Sequence, residues 1–218
     1  MSECRPPVAI LDYRMGNLRS VQKALQLVGA NAWIATAPEH VQGADGLVLP
    51  GVGAFGDAMT NLRDLGFVPT IVGAVNAGLP LLGICVGLQV LFEVSSEMGE
   101  HRGLGLLGGR VVRFAPPLVV PHVGWNQLHV RRRHFLTESL QDGAHAYFTH
   151  SYYAEPADEQ VIVATTDYGS HFASIVAEGN ICGVQFHPEK SWRVGLRMLG
   201  NFVQSLLSGK SYCGFSSG

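Results

Sequence analysis

The stretch Leu81-Leu82-Gly83-Ile84-Cys85-Val86-Gly87-Leu88-Gln89 leaves this chain few ways to fold. Leu79, Leu81, Leu82 and Ile84 supply the apolar run of a strand buried on both faces, the kind found inside parallel sheets. Gly83 and Gly87 flank Cys85 in a G-x-C-x-G pattern, the thiol counterpart of the G-x-S-x-G nucleophile elbow. A turn that sharp brings strand and helix backbones too close for a Cβ and holds the nucleophile in strained φ/ψ. Leu88, Val90, Leu91 and Phe92 are predicted to open the following helix, with Cys85 at its N-terminus. Partial positive charge there favours a thiolate, the reactive form of cysteine. The alternative is a buried structural cysteine at a glycine-rich turn, and a base elsewhere in the chain decides between the two.

Composition supports a buried core. Over 218 residues, 47% hydrophobic content with only 15% charged residues argues against disorder and for an α/β domain. A net charge of −2 gives no electrostatic reason to expect nucleic acid or an acidic membrane. Cys4, Cys85, Cys182 and Cys213 are widely and irregularly spaced, with no metal-ligand pairing, which suits a reducing cytosol. The start, Met1-Ser2-Glu3-Cys4-Arg5, resembles no secretory signal. Residues 65–92 carry no charge and have the length of a membrane span. Pro69, Asn76, Pro80 and Gln89, with Gly73, Gly78, Gly83 and Gly87, break that run into a helix, a turn at 77–80 and a strand. The expectation is a soluble, cytoplasmic protein.

The first half of the chain alternates strand and helix. Val8 to Tyr13 reads as a strand, and Asn17 is placed to cap a helix with the apolar face Leu18, Val21, Leu25 and Val28, stopped at Gly29. Asn31 to Thr36 and Leu47 to Leu49 are two more strands. Such alternation predicts right-handed crossovers, a largely parallel sheet and helices on both faces. The third strand ends in the Pro50-Gly51-Val52-Gly53 loop, whose glycines allow backbone N–H groups to face a cleft, as an oxyanion hole requires. Taken alone, the loop reads better as an ordinary βα turn; a second loop at a strand end carrying a thiol shifts the reading toward a site.

Gly103 to Gly108 is a literal G-x-G-x-x-G, but it follows charged residues rather than a strand and precedes strand-like Arg110 to Phe114 rather than a helix. It reads as a flexible connection, not a dinucleotide site. From Arg110 to Ala177 short alternating strands suit a smaller antiparallel addition to the main sheet. Arg131-Arg132-Arg133 reads as a solvated loop. Two readings stand open for the Pro121 to Asn126 loop: a recognition surface, or Trp125 as a core anchor. Ile181 to Phe186 is a last buried strand, followed by His187-Pro188-Glu189. An imidazole with a carboxylate two residues on, sharing one side of an extended chain, supplies a base for Cys85 and the group that orients it. Val194 to Leu207 closes a single domain over residues 1–207 as an amphipathic helix, and residues 208–218 read as a disordered tail.

Three motifs resemble the class I (triad) glutamine amidotransferases: Pro50 to Gly53, Gly83 to Gln89, and Gln185-Phe186-His187-Pro188-Glu189-Lys190-Ser191. Within that class, three further segments are similar to the glutaminase subunits of imidazole glycerol phosphate synthases. They are Asp12 to Leu18, Pro121 to Asn126, and Tyr147 to Tyr153. Arg14 departs from the pattern, which has glycine there. The resemblance implies that Cys85 attacks the glutamine side-chain amide, that His187 is the general base and acid, and that Glu189 orients it. It also implies an oxyanion hole from Val86 with Val52 or Gly53, and glutamine recognition by Gln89, Ser151 and Tyr152. It implies no metal and no organic cofactor. The implied partner is a (β/α)8 cyclase subunit that receives the ammonia, with Asp12, Asn17, Pro121, Val123 and Trp125 facing it or the ammonia passage. It further implies that the strand at Val52 reorients for activity. Three other readings remain: a glutaminase of another pathway, a cysteine hydrolase of unrelated substrate, and a non-catalytic subunit of the same fold.

Overall fold

The structure, a computed structural model, describes residues 5–207. Its first half runs β1 (Pro7–Leu11), α1 (Leu18–Leu27), β2 (Asn31–Ala35), β3 (Gly46–Gly51), α2 (Phe55–Asp64), α3 (Phe67–Asn76), β4 (Leu81–Cys85) and α4 (Val86–Gln89). Shorter strands follow: β5 (Phe92–Ser95), β6 (His101–Arg102), β7 (Leu107–Arg113), β8 (His122–Val130), β9 (Ala144–His150) and β10 (Tyr152–Pro156). The chain then passes through β11 (Ile162–Asp167), β12 (His171–Glu178) and β13 (Ile181–Val184) to α5 (Trp192–Leu207). The residues proposed as a tail, with Cys4 and Cys213, lie outside the described range.

The main sheet has nine strands in the order β2-β1-β3-β4-β13-β12-β11-β8-β9. β2, β1, β3, β4 and β13 are parallel; β12, β11, β8 and β9 continue the same sheet antiparallel. A second sheet, β10-β7-β5-β6, has four strands. The α/β architecture matches the alternation in the sequence; the antiparallel strands also extend the main sheet, and the smaller sheet joins β10 to β7 and β5 to β6 antiparallel around a parallel β5–β7 pair. β4 lies at the centre, with every residue buried, because Leu81, Leu82 and Ile84 face layers on both sides. Burying each such side chain contributes about 1.5–3 kcal/mol. β3 and β13 flank β4, with Gly51 opposite Cys85 and Val184 opposite Ile84. Three adjacent parallel strands therefore release their chains at one edge, where open α/β sheets bind ligands.

Five local expectations are corrected. Asn17 occupies the N-cap position of α1, but its side chain makes no capping bond; its carbonyl accepts from Ser20 and Val21. The elbow helix is a single turn, and Phe92 already begins β5. The carbonyls of Val90, Leu91, Phe92 and Glu93 accept from residues 103–107 instead of from a continuing helix. The glycine-rich segment is therefore a tightly bonded stop for that helix, not a flexible link; a Cβ on Gly103 would collide with the Phe92 carbonyl. Pro121 to Asn126 is not a loop: residues from His122 onward form β8, with Gly124 at φ +137. Trp125 and Val123 are 53% and 55% exposed, so Trp125 anchors no core. Of the arginine run, Arg131 and Arg133 are exposed, while Arg132 is half-buried and donates to the Ala177 carbonyl. No helix among the described residues is long and apolar enough to cross a membrane.

Candidate active site

Cys85 sits at φ +56, ψ −112, outside the ordinary basins of an L-residue, where the end of β4 turns directly into α4. Both flanking glycines are required by contact. A Cβ on Gly83 would stand 2.7 Å from the Gly87 carbonyl oxygen, and one on Gly87 would overlap the Leu49 carbonyl. Such strain of about 1–3 kcal/mol holds a nucleophile where relaxed backbone would withdraw it. Because α4 is one turn long, its dipole is a weak source of thiolate stabilisation.

The charged neighbour of Cys85 is His187. Burial opposes a charge on its ring, but interactions with Cys85 and Glu189 prevail and raise its pKa to about 10. Its Nδ1 donates to Glu189 Oε1 at 3.0 Å, and both side chains are buried. The tautomer is thereby set with Nε2 left for Cys85. The predicted pairing holds, but through a different geometry. Pro188–Lys190 is a single helical turn, not extended chain, and the turn brings Glu189 back under the imidazole. The His187 backbone is held by the Tyr147 carbonyl at 2.9 Å, and Ser191 Oγ bridges the Tyr147 N–H and the His187 carbonyl.

A cleft of about 260 Å³ opens over the thiol. Val52, Gly53, Cys85, Val86, Gln89, Pro121, Ser151, Tyr152 and His187, all singled out from the sequence, line it. Glu189 stands behind the imidazole, out of the lining. Gly53 has φ +91, and its Cα faces the Met15 methyl, so the Asp12 to Asn17 loop packs on the glycine strand. Asp12 holds the Arg14 N–H at 3.0 Å, and Asn17 is exposed. Asp12, Asn17, Val123 and Trp125 do not line the cleft.

Thr149, His150 and Lys190, which fall in the quoted motifs without an assigned role, also line it, as does Glu97, which the sequence did not single out. Glu97 Oε2 accepts from the Phe55 N–H at 2.7 Å, which leaves its other oxygen for a cation in the cleft. A glutamate twelve residues beyond the nucleophile, in a charged run, gives no spacing signal. Gln89 donates its amide hydrogens to the Tyr152 carbonyl at 2.9 Å and to Gln185 Oε1 at 3.1 Å, so its own carbonyl oxygen is left for a ligand. A larger, more open depression of about 440 Å³ by Glu93, Glu100 and Arg102 contains no nucleophile. Among the described residues no group of three or more His, Cys, Asp or Glu is placed to hold a metal.

A strained cysteine at a strand-to-helix elbow, an imidazole bonded to a buried carboxylate and a glycine strand at the rim meet at one cleft, the arrangement that a cysteine-dependent amidase requires. Residues 9–206 match the glutamine amidotransferase class-I family, and the chain belongs to it. Within it, the chain is 50% identical over 196 residues to the imidazole glycerol phosphate synthase subunit HisH of Moorella thermoacetica, covering 90% of this chain and 93% of that protein. It is 50% identical over 194 residues to the subunit of the same name from Aquifex aeolicus, covering 88% and 94%. A crystal structure of a glutamine amidotransferase superposes with TM-score 0.73 at 25% identity, covering 92% of this chain and 98% of that one. PurLQS from Thermotoga maritima shares the fold, with TM-score 0.75 at 20% identity over 94% and 99% of the chains.

Proposed function

We propose that this chain is the glutaminase subunit of an imidazole glycerol phosphate synthase, hydrolysing glutamine and passing ammonia to a cyclase subunit in histidine biosynthesis. The observation that carries the reading is the convergence of Cys85, His187 and the Val52–Gly53 strand on one cleft, with Glu189 bonded to His187. The likeness to HisH subunits supplies the pathway.

In this reading Cys85 Sγ attacks the side-chain amide carbon of glutamine as the thiolate of a thiolate–imidazolium pair. His187 gives its proton to the departing ammonia, leaving a γ-glutamyl thioester, and then takes a proton from the hydrolytic water. Glu189 keeps the ring in one tautomer and steadies its positive form. N–H groups of Val86 and of Val52 or Gly53 hold the oxyanion, a contribution of roughly 3–4 kcal/mol per donor. The carbonyl of Gln89 and the free oxygen of Glu97 suit the α-ammonium group, and the Ser151–Tyr152 backbone suits the α-carboxylate. No metal or organic cofactor takes part.

The partner is a (β/α)8 cyclase seated against the exposed β8 residues Val123 and Trp125, beside Pro121 and the Asp12 to Asn17 loop. Met15 lies on Gly53, so a partner that moves this loop also moves the oxyanion strand at Val52. The test is glutamate release by the purified chain, alone and with the cyclase plus its phosphoribulosyl ligand, beside Cys85→Ala. Strong activation that Cys85→Ala abolishes is expected. Full-rate turnover without the cyclase would refute the pathway, and no turnover under any condition would refute the function.

A further inference from the structure

From His150 in the cleft wall runs a line of polar side chains that the triad does not use, with His150 and His122 buried and Asn126 half-buried. β8 and β9 pair with His122 directly opposite His150, and the two rings meet, Nδ1 of His122 to Nε2 of His150, at 3.1 Å. The direction of every bond in the line follows from chemistry. His150 Nδ1 stands 2.9 Å from the Tyr152 carbonyl, and a carbonyl only accepts, so Nδ1 carries the proton. A neutral His150 then has its lone pair on Nε2 and must accept from His122 Nδ1. His122 in turn has its lone pair on Nε2, which accepts from Asn126 Nδ2 at 3.2 Å.

Asn126 is oriented independently: its Nδ2 donates to the Asp167 carbonyl and its Oδ1 accepts from the Gln127 N–H, both at 2.8 Å. Both imidazoles are neutral because burial pushes their pKa values down, to about 4 for His122 and about 3 for His150. The Tyr152 carbonyl that ends this line also receives Gln89 Nε2, whose second hydrogen goes to Gln185; Gln185 Nε2 faces Cys85 Sγ at 3.8 Å. A single carbonyl therefore joins the histidine pair to the amides that line the thiol.

Packing alone does not call for imidazoles here. His122 is stacked between Phe148 and Tyr168, with Phe114 and Phe172 edge-on, a box that a phenyl ring would fill without losing hydration. What an imidazole adds is a donor on one nitrogen and an acceptor on the other. We propose that His122 and His150 are positioning residues for glutamine, acting as paired Nδ1–H tautomers that fix the Tyr152 carbonyl and, through it, the Gln89 side chain. Gln89 then presents only its carbonyl oxygen to the substrate. The inference rests on the glutaminase reading for its substrate, but not for its tautomers.

Two measurements test it. In the full chain labelled with ¹⁵N-histidine at neutral pH, both rings are expected as Nδ1–H tautomers; an Nε2–H form at either ring overturns the proposal. In the complex with the cyclase and its ligand, His122→Phe keeps the stacking but removes the donor to His150. Its KM for glutamine is expected to rise about tenfold with kcat within about threefold, since an unmet buried acceptor at His150 loosens the binding set. His122→Asn, which returns a donor amide to His150, is expected to recover most of the loss. An unchanged KM in folded His122→Phe, or a fall in kcat alone, overturns the proposal. Absence of glutamine turnover in the unsubstituted chain would instead strike the functional reading, and the tautomer measurement would still decide this one.

Discussion

Met15 closes over Gly53: a Cβ built on Gly53 would stand 2.9 Å from the Met15 methyl carbon, and Gly53 itself is at φ +91. The glycine thus meets two demands, a left-handed backbone and a close approach from the loop after β1. Gly53→Ala is expected to destabilise the fold by about 1–2 kcal/mol and to cut glutaminase activity at least about tenfold. Adding Met15→Ala relieves the contact but not the backbone, so rescue should be partial. Urea unfolding and glutamate release on the three proteins check this; full rescue by the double variant would show that φ is not limiting.

Glu189 and His187 form a buried pair at 3.0 Å. Glu189→Gln keeps the volume but removes the charge that steadies the imidazolium, and its amide can donate where only an acceptor serves. A fall in kcat of about a hundredfold or more is expected, with KM for glutamine little changed. Steady-state kinetics decide it, and a loss confined to KM would remove Glu189 from the triad.

The raised pKa of His187, about 10 against an ordinary 6.5, fixes the sign of a pH effect. A proton held more tightly in the folded state stabilises it fully below pH 6.5, and that contribution is lost as pH rises through about 10. The imidazolium should therefore persist at pH 8 by NMR, and Cys85→Ala, which removes one of its partners, should lower its titration point. A native His187 that titrates near 6.5 would mean that no thiolate–imidazolium pair forms.

The site was legible where the chemistry is local. The glycines around Cys85 and the apolar run of β4 announce an elbow, and the Gln185 to Ser191 motif announces a base with its carboxylate. Features that depend on distant partners were not legible. The elbow helix stops at Gln89 because residues 103–107 satisfy the carbonyls that another turn would have used. Only the second half of β8, Gln127 to Val130, reads as a strand; its start was hidden by Gly124 and Pro121, and with it the alternation that turns Val123 and Trp125 outward and His122 inward. The histidine pair exists only through the β8–β9 register, and Glu97 only through its bond to the Phe55 N–H.

Arg14 sits exposed at φ +67, with its N–H held by Asp12. A side chain in this region costs roughly 1–2 kcal/mol, and glycine escapes that cost while losing about 0.5–1 kcal/mol in chain entropy. Arg14→Gly should therefore stabilise the protein by about 0.5–1 kcal/mol in chemical denaturation. Destabilisation would mean that the arginine side chain makes a compensating contact in solution.

Trp125 and Val123 project from the same face of β8, both more than half exposed, with the Trp125 ring edge-on to Tyr147 at 6.0 Å. Exposed aromatics of this kind dominate binding when a partner desolvates them, and their truncation commonly costs 2 kcal/mol or more, roughly thirtyfold in affinity. Trp125→Ala is expected to weaken cyclase binding by at least about tenfold in calorimetry. The unfolding midpoint of the isolated chain should move little, because the ring packs against no buried core. If affinity for the cyclase is unchanged, the partner sits elsewhere, and the coupling of cyclase to glutaminase has to be sought at the Asp12 to Asn17 loop alone.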